Sequence, residues 1–125
     1  MTFDWKTKTI LVAEDEPANY LFIEKILSAT NATIVRAVNG SEAVDIAKEN
    51  SDIDVILMDI YMPEIDGFEA AKLINEIRPN LPIIAQTFYE SQLDKERVQN
   101  ASFDSFISKP ININKLLVVL DKYLK

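Results

Sequence analysis

The stretch VILMDIYMPEIDGFE, residues 55–69, decides the fold of this chain. Four apolar residues lead directly to Asp59, and a short loop then leads to Gly67 and a helical pattern. An apolar run of this length is typical of a strand covered on both faces, as in a parallel sheet between helices. Burying an unpaired carboxylate is costly. An aspartate at the end of such a strand therefore indicates either a functional group or a hydrogen-bond acceptor for the loop that follows.

Four further segments have the same strand character. They are residues 8–13 (KTILVA), 32–38 (ATIVRAV), 82–86 (PIIAQ) and the weaker 105–108 (SFIS), and the strand before Asp59 is predicted over 53–58. Each strand is followed by a helical pattern that begins at a cap-forming or helix-starting residue. These residues are Pro17, Asn39 with Glu42, Asp66 with Glu69, Ser91 with Asp94, and Asn112 or Asn114.

This alternation of strand and helix predicts an α/β fold. Parallel neighbours need a crossover and crossovers are right-handed, so five β-α units predict a doubly wound parallel sheet. We expect the flavodoxin-like (βα)5 arrangement with strand order 2-1-3-4-5. The chain has 125 residues, the length of a single domain, which is predicted over residues 1–125. Residues 1–7 are expected to be a loosely attached extension, in which Trp5 has no assigned role.

The composition narrows the chemistry. The chain contains no Cys and no His, which excludes disulfides, thiolate metal sites, a cysteine nucleophile and the most common general base. It has 13 basic and 20 acidic residues and a net charge of −7, so direct binding to nucleic acid or anionic lipid is not expected. The longest apolar run covers only residues 116–120, whereas a bilayer span needs about 20 residues. We therefore expect no membrane insertion and a cytoplasmic location.

Reactive side chains come where the predicted strands end. Glu14 and Asp15 follow the first strand, Asp59 the third, Thr87 the fourth and Lys109 the fifth. The carboxyl ends of parallel strands meet at one edge of a sheet, and ligands bind there near the switch between strands 1 and 3. Carboxylates gathered so closely repel one another, and a hard cation such as Mg²⁺ relieves the repulsion. A lysine aimed at the cluster would neutralise it and hold phosphate oxygens.

Each of these residues also has an ordinary structural explanation. Acidic residues such as Glu14 and Asp15 often precede a helix that follows a strand. Lys109 is compatible with a solvated surface lysine, and Thr87 with a residue that simply favours strands. Phe106 is most simply a core residue. The joint placement of the polar residues at strand ends favours a site.

The motifs resemble those of the receiver (response-regulator) domain of two-component signalling. Among receivers, they are most similar to those of hybrid histidine kinases. The match runs from residue 8 to residue 125 and rests on ILVAEDEP, VILMDIYMPEIDGFE, IIAQT and FISKP. The resemblance implies a role for each residue at the predicted edge. These roles are phosphoryl acceptor for Asp59, magnesium ligands for Glu14, Asp15, Asp59 and the carbonyl of Tyr61, phosphoryl contacts for Thr87 and Lys109, and conformational switch for Thr87 and Phe106.

The resemblance implies a signalling domain rather than a conventional enzyme. Asp59 would take a phosphoryl group from a histidine kinase or a histidine phosphotransfer protein, with Mg²⁺ as cofactor. The chain would assist both this transfer and the later hydrolysis of the acyl phosphate. Thr87 would then move toward the phosphoryl group and Phe106 would fill the vacated space, which changes a face that binds a downstream effector or output domain.

Three other functions share parts of this pattern. A flavodoxin-like FMN protein needs glycine and hydroxyl donors after the first strand, whereas the chain has the acidic AEDEP there. A haloacid-dehalogenase-type phosphatase needs a second aspartate two residues after the first, and that position is Tyr61. A pseudo-receiver, an interaction module that takes no phosphoryl group, remains the alternative. Asp59, Thr87 and Lys109 argue against it, whereas Phe88 keeps it open, because receivers usually have a small residue there and a bulky one would narrow access to the site or slow hydrolysis.

Overall fold

Five parallel strands form a single sheet in the computed structural model, which describes residues 3–87, 96–97 and 101–125. The strands are β1 (Thr9–Ala13), β2 (Thr33–Ala37), β3 (Val55–Asp59), β4 (Ile83–Thr87) and β5 (Ser105–Ser108). Their order is β2-β1-β3-β4-β5, and every neighbouring pair is parallel. The predicted flavodoxin-like order is therefore confirmed. The bounds of the first four strands differ from the predicted ones by one or two residues, so Asp59 and Thr87 are the last residues of their strands.

Four helices connect or follow these strands within the described residues. They are α1 (Pro17–Ser28), α2 (Gly40–Glu49), α3 (Gly67–Ile77) and α4 (Ile113–Leu124). The predicted caps Asn39, Asp66 and Asn112 each accept a hydrogen bond from the backbone N–H three residues later. The helix predicted behind Ser91 lies mostly outside the described residues, although Glu96 and Arg97 are helical. In the described part of the chain, no helix is both long and apolar enough to cross a membrane.

The helices cover both faces of the sheet, as a doubly wound fold requires. On one face, α1 and α4 pack against β1 and β3 through large aliphatic side chains, among them Ile23, Leu27, Leu116 and Leu120. On the other face, α2 and α3 approach closely through small ones, namely Ala43, Ala47, Ala70 and Ala71. All five residues of β3 are buried. The central strand is therefore covered on both faces.

Trp5, which the sequence placed in a loosely attached extension, is packed against the domain. Trp5 is only 5% exposed and joins the core formed by α1 and α4. Its backbone N–H donates to the carbonyl of Thr30 at 2.7 Å, and its ring contacts that of Phe3 with 5.3 Å between centroids. A buried indole removes a large apolar area from water, which stabilises the packing of Trp5 against the domain.

The loop after β3 returns to the sheet at a glycine. The N–H of Gly67 donates to the carbonyl of Ile60 at 2.9 Å. A Cβ atom on Gly67 would lie 2.6 Å from the carbonyl oxygen of Asp59 and 2.5 Å from the Cα of Ile60. These distances are too short for any real side chain. The glycine therefore allows α3 to begin directly against the backbone that carries Asp59.

Candidate functional site

Asp59 lies at the centre of the site and is held by donors on both of its carboxylate oxygens. As the last residue of β3 it is only 5% exposed. Its Oδ2 accepts a hydrogen bond from Lys109 Nζ at 2.7 Å, and its Oδ1 accepts one from the backbone N–H of Tyr61 at 3.0 Å. Charge-assisted hydrogen bonds of this length are strong and directional. The carboxylate is therefore fixed in one orientation at the carboxyl edge of the sheet.

Two more carboxylates face Asp59 from the end of β1. One oxygen from each of Glu14, Asp15 and Asp59 lies within 4.8 Å of the others. Glu14 is fully buried and Asp15 is partly buried. An all-oxygen set of this kind suits a hard divalent cation such as Mg²⁺. The structure thus brings together the three carboxylates that the sequence predicted to lie at the carboxyl edge of the sheet.

Glu14 is the most constrained member of the cluster. Its Oε2 accepts from the N–H of Glu16 at 3.1 Å, and its Oε1 accepts a very short hydrogen bond from the side-chain amide of Asn19. Burial and the neighbouring charge of Asp59 raise the pKa of Glu14, although these hydrogen bonds and Lys109 oppose the increase. A cation bound at the cluster would favour the ionised form of this residue.

Lys109 neutralises only part of the negative charge of the carboxylate cluster. Its ammonium lies 2.7 Å from Asp59 Oδ2 and 3.5 Å from Glu14 Oε1. Its backbone N–H donates to the carbonyl of Thr87 at 2.9 Å, which joins the ends of β4 and β5. The Lys109–Pro110 peptide bond is cis. The cluster has three carboxylates, and the ammonium pairs with two of them, so the cluster retains an excess of negative charge that a divalent cation would complement.

Thr87 and Phe106 lie on the same face of the sheet. The strand register pairs Ala85 with Phe106 and Thr87 with Ser108. The Thr87 hydroxyl is buried and finds no hydrogen-bond partner among the described residues. Phe106 is 37% exposed and is therefore not the core residue that its apolar character suggested. The expectation about Phe88 concerns a residue outside the described part of the chain.

Three polar residues beside the site were missed by the sequence analysis. Asn19 binds the carboxylate of Glu14, and Arg36 donates to the carbonyls of Glu14 and Asp15. The carboxamide of Gln86 is fully buried and has no partner among the described residues. The signal for two of them was present, because Arg36 and Gln86 interrupt the otherwise apolar strands TIVRA and IIAQT.

Comparison with known proteins identifies the family to which the chain is similar. The chain matches the family model of the response regulator receiver domain over residues 10–121. The polar-differentiation response regulator DivK of Brucella anthropi is 33% identical over 120 residues, which are 94% of this chain and 96% of DivK. The similarity therefore extends over nearly the whole domain.

Solved structures agree in fold. The receiver domain of the sensor histidine kinase PA1611 from Pseudomonas aeruginosa, which has a magnesium ion coordinated in its active-site cleft, is 30% identical with a TM-score of 0.87. That match covers 94% of this chain and 97% of the other. A co-crystal structure from Saccharomyces cerevisiae joins the histidine phosphotransfer protein Ypd1 to the receiver domain of Ssk1. A chain in it is 27% identical with a TM-score of 0.88, covering 98% of this chain and 91% of that one.

Proposed function

The chain belongs to the family of response regulator receiver domains, and from this we propose that it takes a phosphoryl group from a phosphohistidine onto Asp59 in a magnesium-dependent reaction. One observation carries the proposal. The Asp59 carboxylate is held between the ammonium of Lys109 and the acidic pair Glu14 and Asp15, at the carboxyl end of the central strand. This arrangement supplies a fixed nucleophile, a cation-binding cluster and a fixed positive charge together.

The residues present fit a magnesium site. Glu14, Asp15 and Asp59 would hold the ion, with the carbonyl of Tyr61 as a further ligand. Magnesium bound there would neutralise the charge on the phosphoryl oxygens. The magnesium in the cleft of the PA1611 receiver domain supports this assignment, because that domain is similar over nearly the whole chain.

The chemical step is an in-line displacement at phosphorus. A carboxylate oxygen of Asp59 forms the new O–P bond while the P–N bond to the donor imidazole breaks, and the imidazole leaves with the electron pair and takes up a proton. Lys109 and the Thr87 hydroxyl hold the phosphoryl oxygens as charge develops on them. The product is an acyl phosphate. Water later attacks the phosphorus, which restores the carboxylate and releases inorganic phosphate, and the same residues assist that step.

The donor would be a histidine kinase or a histidine phosphotransfer protein. Leu21 and Phe22 on α1 are 60% and 44% exposed, and α1 begins two residues after Asp15. Exposed apolar side chains beside a reactive site are typical of a docking surface. The co-crystal structure of Ypd1 with the Ssk1 receiver domain concerns a relative and supports the same kind of partner.

Phosphorylation would be read out through Thr87 and Phe106. The buried Thr87 hydroxyl would move toward the phosphoryl group, which supplies a hydrogen-bond acceptor. Phe106, on the same face of the sheet, would then move into the space that Thr87 leaves. The phosphoryl group thereby favours one of two conformations, and the changed face binds an effector or an output domain. The cytoplasmic location expected from the sequence belongs to the same proposal.

Intact mass spectrometry tests the proposal. The chain is incubated with Mg²⁺ and a small acyl-phosphate donor, and we expect one added phosphoryl group. The adduct should be absent from Asp59→Asn and present on the control Asp45→Asn, which changes an exposed aspartate on α2. No adduct on the parent chain would support the interaction module instead. An adduct on Asp59→Asn would show that another residue is the acceptor.

A further inference from the structure

We propose that Arg36 is a positioning residue for the magnesium site. Its guanidinium fixes the backbone of Glu14 and Asp15, so that the two carboxylates face Asp59 before any ion binds. The inference rests on the proposed function, because the site that Arg36 positions is the one through which phosphoryl transfer would occur.

The guanidinium donates hydrogen bonds to backbone carbonyls of the two residues that follow β1. Arg36 Nε and Nη2 donate to the carbonyl of Glu14 at 3.3 and 3.2 Å, and Nη2 also lies 3.4 Å from the carbonyl of Asp15. The N–H of Glu14 donates to the carbonyl of Ala37 at 3.0 Å. Residues of β2 therefore hold Glu14 through both its N–H and its carbonyl, one residue beyond the last strand pair of Ala13 with Ala37.

The guanidinium is itself held in place by α1. Its central carbon lies 4.4 Å from the ring centroid of Tyr20, which is a cation–π distance. Tyr20 is buried, and its hydroxyl donates to Glu24 Oε2 at 3.0 Å, one turn further along the helix. The side chain of Arg36 thus has fixed partners on the helix and on the acidic pair, which is the arrangement expected of a group that orients metal ligands from outside.

The charge of Arg36 and its geometry have opposite effects on metal binding. A cation near the cluster repels a divalent ion, so the charge alone weakens binding. The planar fork fixes the ligand backbone, which strengthens binding by preorganisation. Lysine keeps the charge but lacks the fork, whereas methionine lacks both. Substitutions at this single position therefore separate the two effects.

Isothermal titration with Mg²⁺ alone tests the proposal on the whole chain. We expect Arg36→Lys and Arg36→Met each to bind Mg²⁺ on the order of 10-fold more weakly than the parent. The matched control is Arg78→Lys, because Arg78 also donates to backbone carbonyls but does so at the opposite end of the sheet. It should bind Mg²⁺ as the parent does, even if it melts at a lower temperature.

Each other pattern of affinities overturns the assignment. If Arg36→Lys binds Mg²⁺ as tightly as the parent, the fork has no positioning role. If Arg36→Met binds more tightly than the parent, charge repulsion dominates. If Arg78→Lys weakens binding equally, the effect is one of general stability. A parent chain that shows no Mg²⁺ binding would overturn the proposed function as well, whereas equal affinities in parent and variants would overturn only the role of Arg36.

Discussion

Charged side chains at the amino end of the sheet bond to backbone groups, whereas at the carboxyl end two carboxylates and an ammonium also face one another. At the amino end, Asp54 Oδ2 accepts from the N–H of Thr9 at 2.8 Å, and Asp104 Oδ2 accepts from the N–H of Ile83 at 2.8 Å. Arg78 donates to four carbonyls, those of Ala47, Asn50, Ser51 and Ile53. Each of these charges completes the hydrogen bonding of the fold.

The carboxyl end shows the opposite balance. Glu14 and Asp59 are buried close together, and Lys109 provides the positive charge that both share. The Thr87 hydroxyl and the Gln86 carboxamide are buried without partners among the described residues. Unpaired polar groups and like charges lower stability. The difference teaches that the amino end stabilises the sheet, while the carboxyl end gives up stability in exchange for a reactive site.

The largest effect on stability is expected at the amino end. Arg78→Ala should lower the free energy of unfolding by about 3 kcal/mol, because it leaves several carbonyls without their charged donor. Urea unfolding measures this loss, and Mg²⁺ affinity should remain that of the parent. The control Lys72→Ala removes an exposed basic residue from α3, the helix that ends just before Arg78, and should cost far less. Equal losses in the two variants would contradict the contrast between the ends.

At the carboxyl end, removing a polar group should stabilise the protein. Gln86→Leu replaces a buried carboxamide, which has no hydrogen-bond partner in the described part of the chain, by an apolar group of similar size. We expect the free energy of unfolding to rise by about 1–2 kcal/mol, which a higher urea midpoint would show. Asn114→Leu, at an exposed position of α4, provides the control. A destabilised Gln86→Leu would mean that the carboxamide has a structural role.

Glu14, at the carboxyl end of the sheet, is expected to make the stability of the protein depend on pH. Because its pKa is raised above 4.5 by burial and by Asp59, the folded chain keeps this proton to a higher pH than the unfolded chain does. Its contribution to stability is complete below about pH 4.5 and is lost as the pH rises through the raised pKa. Without Mg²⁺, Glu14→Gln should therefore gain stability over the parent through that window and keep the gain above it.

Urea unfolding at a series of pH values follows this difference. Glu76→Gln, which changes an exposed glutamate on α3, serves as the control for loss of a surface carboxylate. A stability difference between Glu14→Gln and the parent that does not change with pH would contradict the assigned pKa direction. Glu14→Gln should also bind Mg²⁺ more weakly, because it replaces a carboxylate by a neutral amide.

The smallest effect concerns backbone conformation. Asn31 at the amino end and Glu64 at the carboxyl end have nearly the same left-handed conformation, with φ of 69° and 72°. Asparagine tolerates this conformation much better than glutamate does. Glu64→Asn should therefore stabilise the protein by about 0.5 kcal/mol, and the reverse change Asn31→Glu should destabilise it similarly. Thermal melts of the two variants measure both signs, and two shifts in the same direction would contradict the argument.

The sequence predicts the sheet and the main site residues because both follow from where strands end. Glu14, Asp15, Asp59 and Lys109 come together through strand order alone, which apolar runs and helix caps specify. The partners of Arg36 were not predictable in the same way. A long side chain that binds backbone carbonyls leaves no matching residue type elsewhere in the sequence.

The sequence pattern also did not predict how exposed two aromatic side chains are. Trp5 precedes the first strand pattern and looked unattached, yet it is buried by contacts with α1 and α4 that lie far away in the sequence. Phe106 alternates like a core residue, yet it is partly exposed. In both cases the outcome depends on how completely neighbouring elements cover the position, and this is decided only when the whole domain has assembled.

The position of Trp5 makes the protein easy to follow by fluorescence. It is the only tryptophan in the chain, it is buried, and it lies at the amino end of the sheet, opposite the carboxylate cluster. Its emission should shift to longer wavelength when the domain unfolds and the indole meets water. Ion binding at the far edge should leave the spectrum nearly unchanged, so a single optical signal isolates folding from ligation.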